Sequence, residues 1–600
     1  MRDIYGDEQH EKAGSRRREI EQAVLLPTMS FFDDPAQFGL EDRQGQAMLS
    51  IDIAEAISKN HHIMAEAGAG IGKSFAYLIP ALLAVQKFDK SVVIATATRA
   101  LGKQLVRDVE QVKLLTGILR PKVVLDRGPI LNIAGDVRVI ITHQDVFIRH
   151  LGQKSPLGQS LKKDTTILYI VDEAHRLEEQ GRAAFATKWT AQNIKAMERA
   201  LQQALPKGPT RKNHIENLRK AGEYRTQFFS EGEQQFQALP SALTKQQEAA
   251  RVWLPKKHIV NYNEWAKELE KVIQVCPSSL PPGTLELPQF IRRLWQYANS
   301  SYLVWLERNS LEPSDFSICT APKKNDNELE KLLFSQTIPV VLISDTLCNG
   351  QGAKQQRYRY YAEAVGFPED NSELSDAQPA TFNYEDNGLL YIPDDLPRPD
   401  EKSNRTVYLA TMAERIADLI RCSNGRTLAL FTVAADMQDV HALLVGKGIS
   451  CDLLGLGATA SIPQPVLEQF MASKGVLLAT SDYWEEIQMP GLTLDSLIIV
   501  QLPFPPFDPI IDYRISQVLD PMEILLPEML TKLRQGIGCL FRTDKDTGVL
   551  SILDARISDS CTLTYKDEVL AALPIANKVS SLLEVQDYYL VSRTSDSQRL

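Results

Sequence analysis

Cysteine is scarce in this 600-residue chain. There are seven, Cys276, Cys319, Cys348, Cys422, Cys451, Cys539 and Cys561, none before position 276 and none in a close pair. That spacing draws no zinc ribbon, no disulfide framework and no four-cysteine iron–sulfur signature. Long apolar runs are missing as well. Nothing approaches the roughly 18 residues of a membrane span, and no apolar segment follows the charged N-terminus. A cytoplasmic protein with no membrane partner is the expectation. Net positive charge is also absent, the balance being −10. Nothing therefore advertises nucleic acid globally, although a local groove on an acidic protein can still be basic. The basic run 16–18 reads as a solvated face or arm, and no internal repeat of fixed period is found.

What is present is size and rhythm. The chain is too long for one ordinary core, which predicts three or four domains. Residues 1–35 are mixed and polar and read as an extension. Helical spacing over 46–60 leads into "HHIMAEAG", a glycine-rich turn and a second helix; "SVVIATATRA", "RVIITHQDVF" and "TTILYIVDEAH" then supply apolar strands, each followed by polar text. Strand, turn and helix in alternation predict a parallel sheet covered by helices. From about 190 to 310 the text is polar and rich in Gln and Lys, and reads as an all-helical insertion. "TIPVVLISDTL" returns to the sheet pattern. Past a transition rich in Asp and Pro, "GRTLALFTVAA", "GVLLATSDYW", "LDSLIIVQLPF" and "TGVLSILDAR" form a second α/β set. The fold class is α/β, with two sheet domains and a helical insertion in the first.

The strongest local signal is "EAGAGIGKS", residues 66–74. Gly68, Gly70 and Gly72 let the backbone curl so that its N–H groups face phosphate oxygens. Lys73 can reach the β- and γ-phosphates, and Ser74 can hold magnesium. The first position of the usual phosphate-loop pattern is Ala67 rather than glycine. Its complement is Asp172–Glu173, at the end of an apolar strand about a hundred residues later. Asp172 can hold magnesium through a water, and Glu173 can polarise the water that attacks the terminal phosphate. His175 is a candidate for coupling nucleotide state to the other domain. ATP and Mg2+ are the implied substrate and ion.

Taken together, "AEAGAGIGKSFAYLIP" and "IVDEAH" resemble the superfamily 2 DNA helicases of the DinG and XPD type, and the resemblance runs over most of residues 36–600. Arg43 and Gln46 match the adenine-side segment upstream of the phosphate loop, and "ATATRALGKQLVRD" matches the motif that touches the nucleic-acid backbone. Ser344 and Thr346 keep the hydroxyls of the motif that couples hydrolysis to movement. "VLLATSDYWEEIQMPG" resembles the fifth motif, and "LRQGIGCLFR" carries Gln535, Gly536, Gly538 and Arg542 of the sixth. The resemblance implies two RecA-like P-loop motor domains with ATP between them, and Arg542 as the guanidinium that stabilises the transferring phosphoryl group. The expected organisation is an extension over 1–35, a first motor domain over 36–347 and a second over 348–600. The first would contain a small remnant wedge, 106–137, and a mostly helical arch, 190–312.

Departures from that pattern are as informative. Many relatives carry four cluster-ligating cysteines between the phosphate loop and the acidic motif, whereas residues 74–172 contain no cysteine. No iron–sulfur cluster is expected. Asp345 stands where the third motif has alanine, Glu486 and Gln488 replace a glycine and an aspartate of the fifth, and Cys539 replaces the first arginine of the sixth. The implied activity is a 5′–3′ DNA helicase on single-stranded DNA, on 5′-tailed duplex or at an R-loop, working as a monomer. An iron-free chain with altered motifs also resembles the DinG relative associated with type IV CRISPR systems, which implies an RNA-guided effector complex as partner. The rival is a nucleotide-gated DNA-binding scaffold with little turnover. Arg99, Lys103 and His143 are candidate DNA-backbone contacts, against a reading as solvated helix-start residues. Trp484 is a candidate base-stacking residue, against a reading as a packed side chain.

Overall fold

The computed structural model describes residues 15–118, 121–125, 137–152, 165–238, 251–254, 261–276, 280, 283–295, 301–309, 312, 314–350, 352–380, 382, 384–398, 405–424, 426–454, 468–470, 472–473, 475–480, 494–506, 508–541 and 546–599. Strands are numbered in chain order: β1 His62–Glu66, β2 Ser91–Thr96, β3 Lys122–Leu125, β4 Val137–His143, β5 Thr166–Asp172, β6 Thr187–Thr190, β7 Arg251–Trp253, β8 Tyr302–Arg308 and β9 Phe316–Pro322, then β10 Val340–Ser344, β11 Ser372–Leu374, β12 Gly388–Tyr391, β13 Thr427–Phe431, β14 Asp452–Leu454, β15 Val476–Thr480, β16 Ser496–Ile499, β17 Gly548–Ile552 and β18 Lys578–Val579.

Two sheets of seven strands are wholly parallel. The first runs β11-β1-β10-β5-β2-β4-β3, and the second β14-β15-β13-β16-β17-β12-β18. Parallel strands need helices on both faces, so their sequences are apolar on both faces rather than alternating. The central strands β1, β5, β10, β13 and β15 are buried at every position. All the chemistry-bearing turns leave the same carboxyl edge of the first sheet, where an open α/β sheet binds its ligands. The phosphate loop follows β1, Asp172 ends β5 and Ser344 ends β10. Register sets them side by side, with Glu66 opposite Ser344 and Asp172 opposite Ile343.

Three features depart from the sequence reading. Residues 190–312 are not all helical: β7 and β8 join β6 and β9 in a four-stranded antiparallel sheet, β6-β9-β8-β7. The helices Ala191–Ala204, Arg211–Ala238, Tyr262–Ile273 and Leu287–Trp295 pack against it around Trp265, Phe228 and Phe316. "YLVWLER" is β-branched and aromatic enough to pair, but its polar surroundings masked the signal. The stretch read as an extension enters the first core, since Ile20, Val24 and Phe31 are buried there and Phe31 stacks on Phe38 with ring centroids 4.2 Å apart. The chain also stays with the first sheet beyond 347, through β11 and a bridge from Gln378 to Ala67 beside the phosphate loop.

The antiparallel sheet leans on the second sheet domain. Arg251 pairs with Asp508 at 3.1 Å, and Trp253 donates from Nε1 to Asp512 at 2.7 Å. Ile510 and Tyr513 pack against the face holding Trp305 and Cys319. No helix among the described residues is long and apolar enough to cross a membrane.

Candidate active site

The phosphate loop owes its shape to glycine. Gly70 and Gly72 have φ of +83° and +87°, which L side chains rarely adopt. A Cβ on Gly68 would lie 2.4 Å from the backbone nitrogen of Ala380. The turn is held from outside, because Arg43 Nη1 donates to the Gly70 carbonyl at 2.5 Å and Gln46 Nε2 to the Gly72 carbonyl at 2.9 Å. These two residues, predicted on the adenine side, thus brace the loop's backbone. The helix Lys73–Phe88 starts at once from Gly72, so its positive end faces the loop.

Lys73 Nζ lies 3.2 Å from Glu173 Oε1 and 4.0 Å from Asp345 Oδ2. Burial alone would lower the lysine's pKa, but Asp345, Glu173 and Asp172 together raise it. Glu173 is a non-glycine residue at φ +53°, a left-handed conformation that costs on the order of 1 kcal/mol. Gln144 Nε2 supports it, donating to the carbonyls of Asp172 and Glu173 at 2.7 and 3.0 Å. On its other oxygen Glu173 meets His175 Nδ1 and Ser344 Oγ, both at 3.4 Å. His175 Nδ1 and Ser344 Oγ are 2.7 Å apart. Two of the predicted coupling residues, His175 and Ser344, therefore share one hydrogen-bonded ring with Glu173.

Asp172 is bound differently. Tyr77 donates to its Oδ2 at 3.2 Å and also meets Ser74, whose hydroxyl reaches Asp108. Burial raises the Asp172 carboxyl's pKa and the charge of Glu173 adds to this, against the pull of Lys73. Burial also opposes the charge on Asp345, yet Lys73, His175 and Arg534 hold that carboxyl below the usual range. One ammonium faces three carboxylates. That shortage of positive charge, with the Ser74 hydroxyl and Asp172 both on Tyr77, fits a divalent cation with hard oxygen ligands.

The second domain reaches this site through a residue the sequence reading passed over. Arg534, on the helix Met522–Ile537, pairs with Glu66 at 2.7 Å and donates to the carbonyls of Asp345 and Cys348 at 3.0 and 2.9 Å. Glu66, only 8% exposed as a side chain, also accepts from the backbone nitrogens of Leu347 and Cys348 at 2.6 and 2.5 Å. A single carboxylate at the mouth of β1 thus ties the phosphate loop, the segment after β10 and the second domain together. Tyr77 lies one helical turn past Lys73, Arg534 adjoins Gln535 and Glu66 opens the loop. Those positions were the available signals.

Next to the ring is a cavity of about 730 Å³ between the first domain, the antiparallel sheet and the second domain. His175, Thr346 and Gln535 line it, and His175 Nε2, Thr346 Oγ1 and Gln535 Nε2 are buried there without hydrogen-bond partners among the described residues. Arg99, Lys103 and His143 gather on the same carboxyl edge further along, since Thr96 of β2 stands opposite His143 of β4 and the helix Arg99–Thr116 starts just after β2. Arg99 and Lys103 are exposed, and His143 is half-buried. Arg542 and Trp484 lie outside the described residues, as do Glu486 and Gln488. Cys539 is 1% exposed and sits in the second domain's apolar core with Leu533, Leu540 and Phe541. In this structure its side chain is buried in that core, against which Ala69 of the phosphate loop also packs.

The chain matches two helicase families in order. Residues 49–203 match the DEAD/DEAH box helicases and residues 416–574 the helicase C-terminal domain. ATP-dependent DNA helicase YoaA of Escherichia coli is 23% identical over 91% of this chain and 95% of its own length. ATP-dependent helicase DinG of Mycobacterium tuberculosis is 24% identical over 90% and 94%. Among solved structures, Xpd4 of S. tokodaii superposes with a TM-score of 0.56 at 17% identity, over 88% of this chain and 97% of that one, a likeness of fold. Both helicase halves are present in order around a phosphate loop and its acidic partner, and the chain is a helicase of the DEAD/DEAH-box type with a helicase C-terminal domain, similar over most of its length to the ATP-dependent helicases DinG and YoaA.

Proposed function

We propose that this chain is a 5′–3′ helicase that translocates on single-stranded DNA and hydrolyses ATP in the cleft between its two sheet domains. The observation that carries the reading is the convergence of Lys73, Asp172, Glu173 and Ser344 on one carboxyl edge, with Arg534 of the second domain closing on it. In this reading Lys73 binds the terminal phosphates and Glu173 orients and polarises the attacking water. Ser74 and Asp172 hold the cation, which supplies charge neutralisation at the phosphates. His175, Ser344, Thr346 and Gln535 pass nucleotide state across the cleft, and Arg542 contributes the stabilising guanidinium. Arg99, Lys103 and His143 bind the DNA backbone, which gives affinity without sequence preference.

The finer duty we infer is work at an R-loop made by an RNA-guided effector complex. Its support is the lack of cysteine over 74–172 and the altered third, fifth and sixth motifs. A second reading, a nucleotide-gated clamp with little turnover, is favoured by one contact, the approach of Asp345 to Lys73. Strand separation distinguishes them. Duplexes with a 5′ single-stranded tail, and R-loops, should open in an ATP-dependent way while 3′-tailed duplexes stay closed. Preferential opening of 3′ tails would contradict the polarity. DNA retention that follows nucleotide binding with no strand opening would favour the clamp.

A further inference from the structure

Lys73 is the group on which any nucleotide reading of this site depends, and it already has a partner beyond Glu173. Asp345 Oδ2 stands 4.0 Å from its Nζ, in a side chain 21% exposed, and Asp345 Oδ1 lies 3.3 Å from Ser344 Oγ. The residue is anchored through its main chain, where its carbonyl accepts from Arg534 at 3.0 Å, so the turn that carries the carboxylate is held independently of Lys73. Glu66 holds the following segment by Leu347 N and Cys348 N. The resemblance has alanine at this position, and an alanine offers no charge. Here a negative charge is presented to the phosphate-binding ammonium from a turn whose backbone Arg534 and Glu66 hold. At such a separation in a partly buried site, a like charge arriving as phosphate competes with it directly.

We propose that Asp345 is a resident competitor for Lys73, an affinity-setting residue that acts through the lysine and weakens nucleotide binding to the open site. The inference rests on Lys73 being the phosphate-binding group. It concerns the side chain alone, because the carbonyl contact to Arg534 survives any substitution at 345. Nucleotide arrival has to displace the carboxylate, so binding is tight only where other contacts, such as domain closure on DNA, add to it.

The test is equilibrium binding of magnesium–ATP and magnesium–ADP to the full chain, without DNA, for the unaltered protein and for Asp345→Asn, Asp345→Ala, Asp345→Glu and Lys73→Ala. Asn and Ala should each tighten binding by about tenfold, and Glu should leave it near the unaltered value. A structural role would give loss in all three, so a gain confined to the neutral variants is its signature. Unchanged affinity in Asp345→Asn overturns the proposal. So does weaker binding in Asn and Ala with recovery in Glu, which would make the carboxylate a required ligand; the ligand atoms of Glu173, His175 and Asp345 do lie within 4.8 Å of one another. Failure of the unaltered chain to bind nucleotide any better than Lys73→Ala would instead overturn the nucleotide reading, and this inference with it.

Discussion

Replacing Glu173 with glutamine should lower ATP turnover by about 10²- to 10⁴-fold while leaving nucleotide binding and the unfolding midpoint nearly unchanged. The side chain is held rather than free. It contacts Lys73 on one oxygen, meets His175 and Ser344 on the other, and sits on a left-handed backbone supported by Gln144. Glutamine keeps the shape and can still accept a hydrogen bond from Lys73. What it cannot do is take a proton from water as the bond to phosphorus forms. The loss should therefore appear in kcat, with little change in KM. Steady-state phosphate release with single-stranded DNA present, beside a thermal melt of the same preparation, checks both halves. A loss smaller than threefold would mean that another group polarises the water.

Cys539→Arg is the second large effect, and its sign is opposite to what the motif suggests. By resemblance, an arginine here would restore a guanidinium to the sixth motif and raise turnover. The cysteine, however, is 1% exposed and packed with Leu533, Leu540 and Phe541. A charge forced into that core costs about 3 kcal/mol or more, which lowers the second domain's unfolding midpoint by roughly 6–12 °C. Turnover should fall with it. Cys539→Ala, which changes volume but adds no charge, should cost far less. Calorimetry on both variants measures the difference. A Cys539→Arg protein that melts like the parent and hydrolyses faster would show that this side chain turns outward in the working enzyme.

The legible part of this molecule was the part written locally. Apolar strands, glycine turns and the residues at strand ends are contiguous in sequence. Gly68 to Ser74 and Asp172–Glu173 could therefore be read with their chemistry, and parallel register then brings them together without further information. Ser344 needed the family pattern, because a serine after a strand is otherwise ordinary. What stayed hidden depends on long-range packing. Glu66 and Arg534 are 468 positions apart, and neither has a local signature. The antiparallel sheet was hidden for a related reason: β7 is only three residues long and is a strand only by virtue of β8. Cys539 could be aligned to a motif, but the direction of its side chain is decided by the core it enters.

The central claim is that Lys73 and its carboxylate partners form a working ATP site driven by DNA. The measurement that tests it most directly is ATP turnover by the full chain with and without single-stranded DNA, beside Lys73→Ala. The account predicts that DNA raises turnover several-fold or more and that Lys73→Ala falls to background in both conditions. Turnover by the unaltered chain that stays at the Lys73→Ala level with DNA present would contradict it.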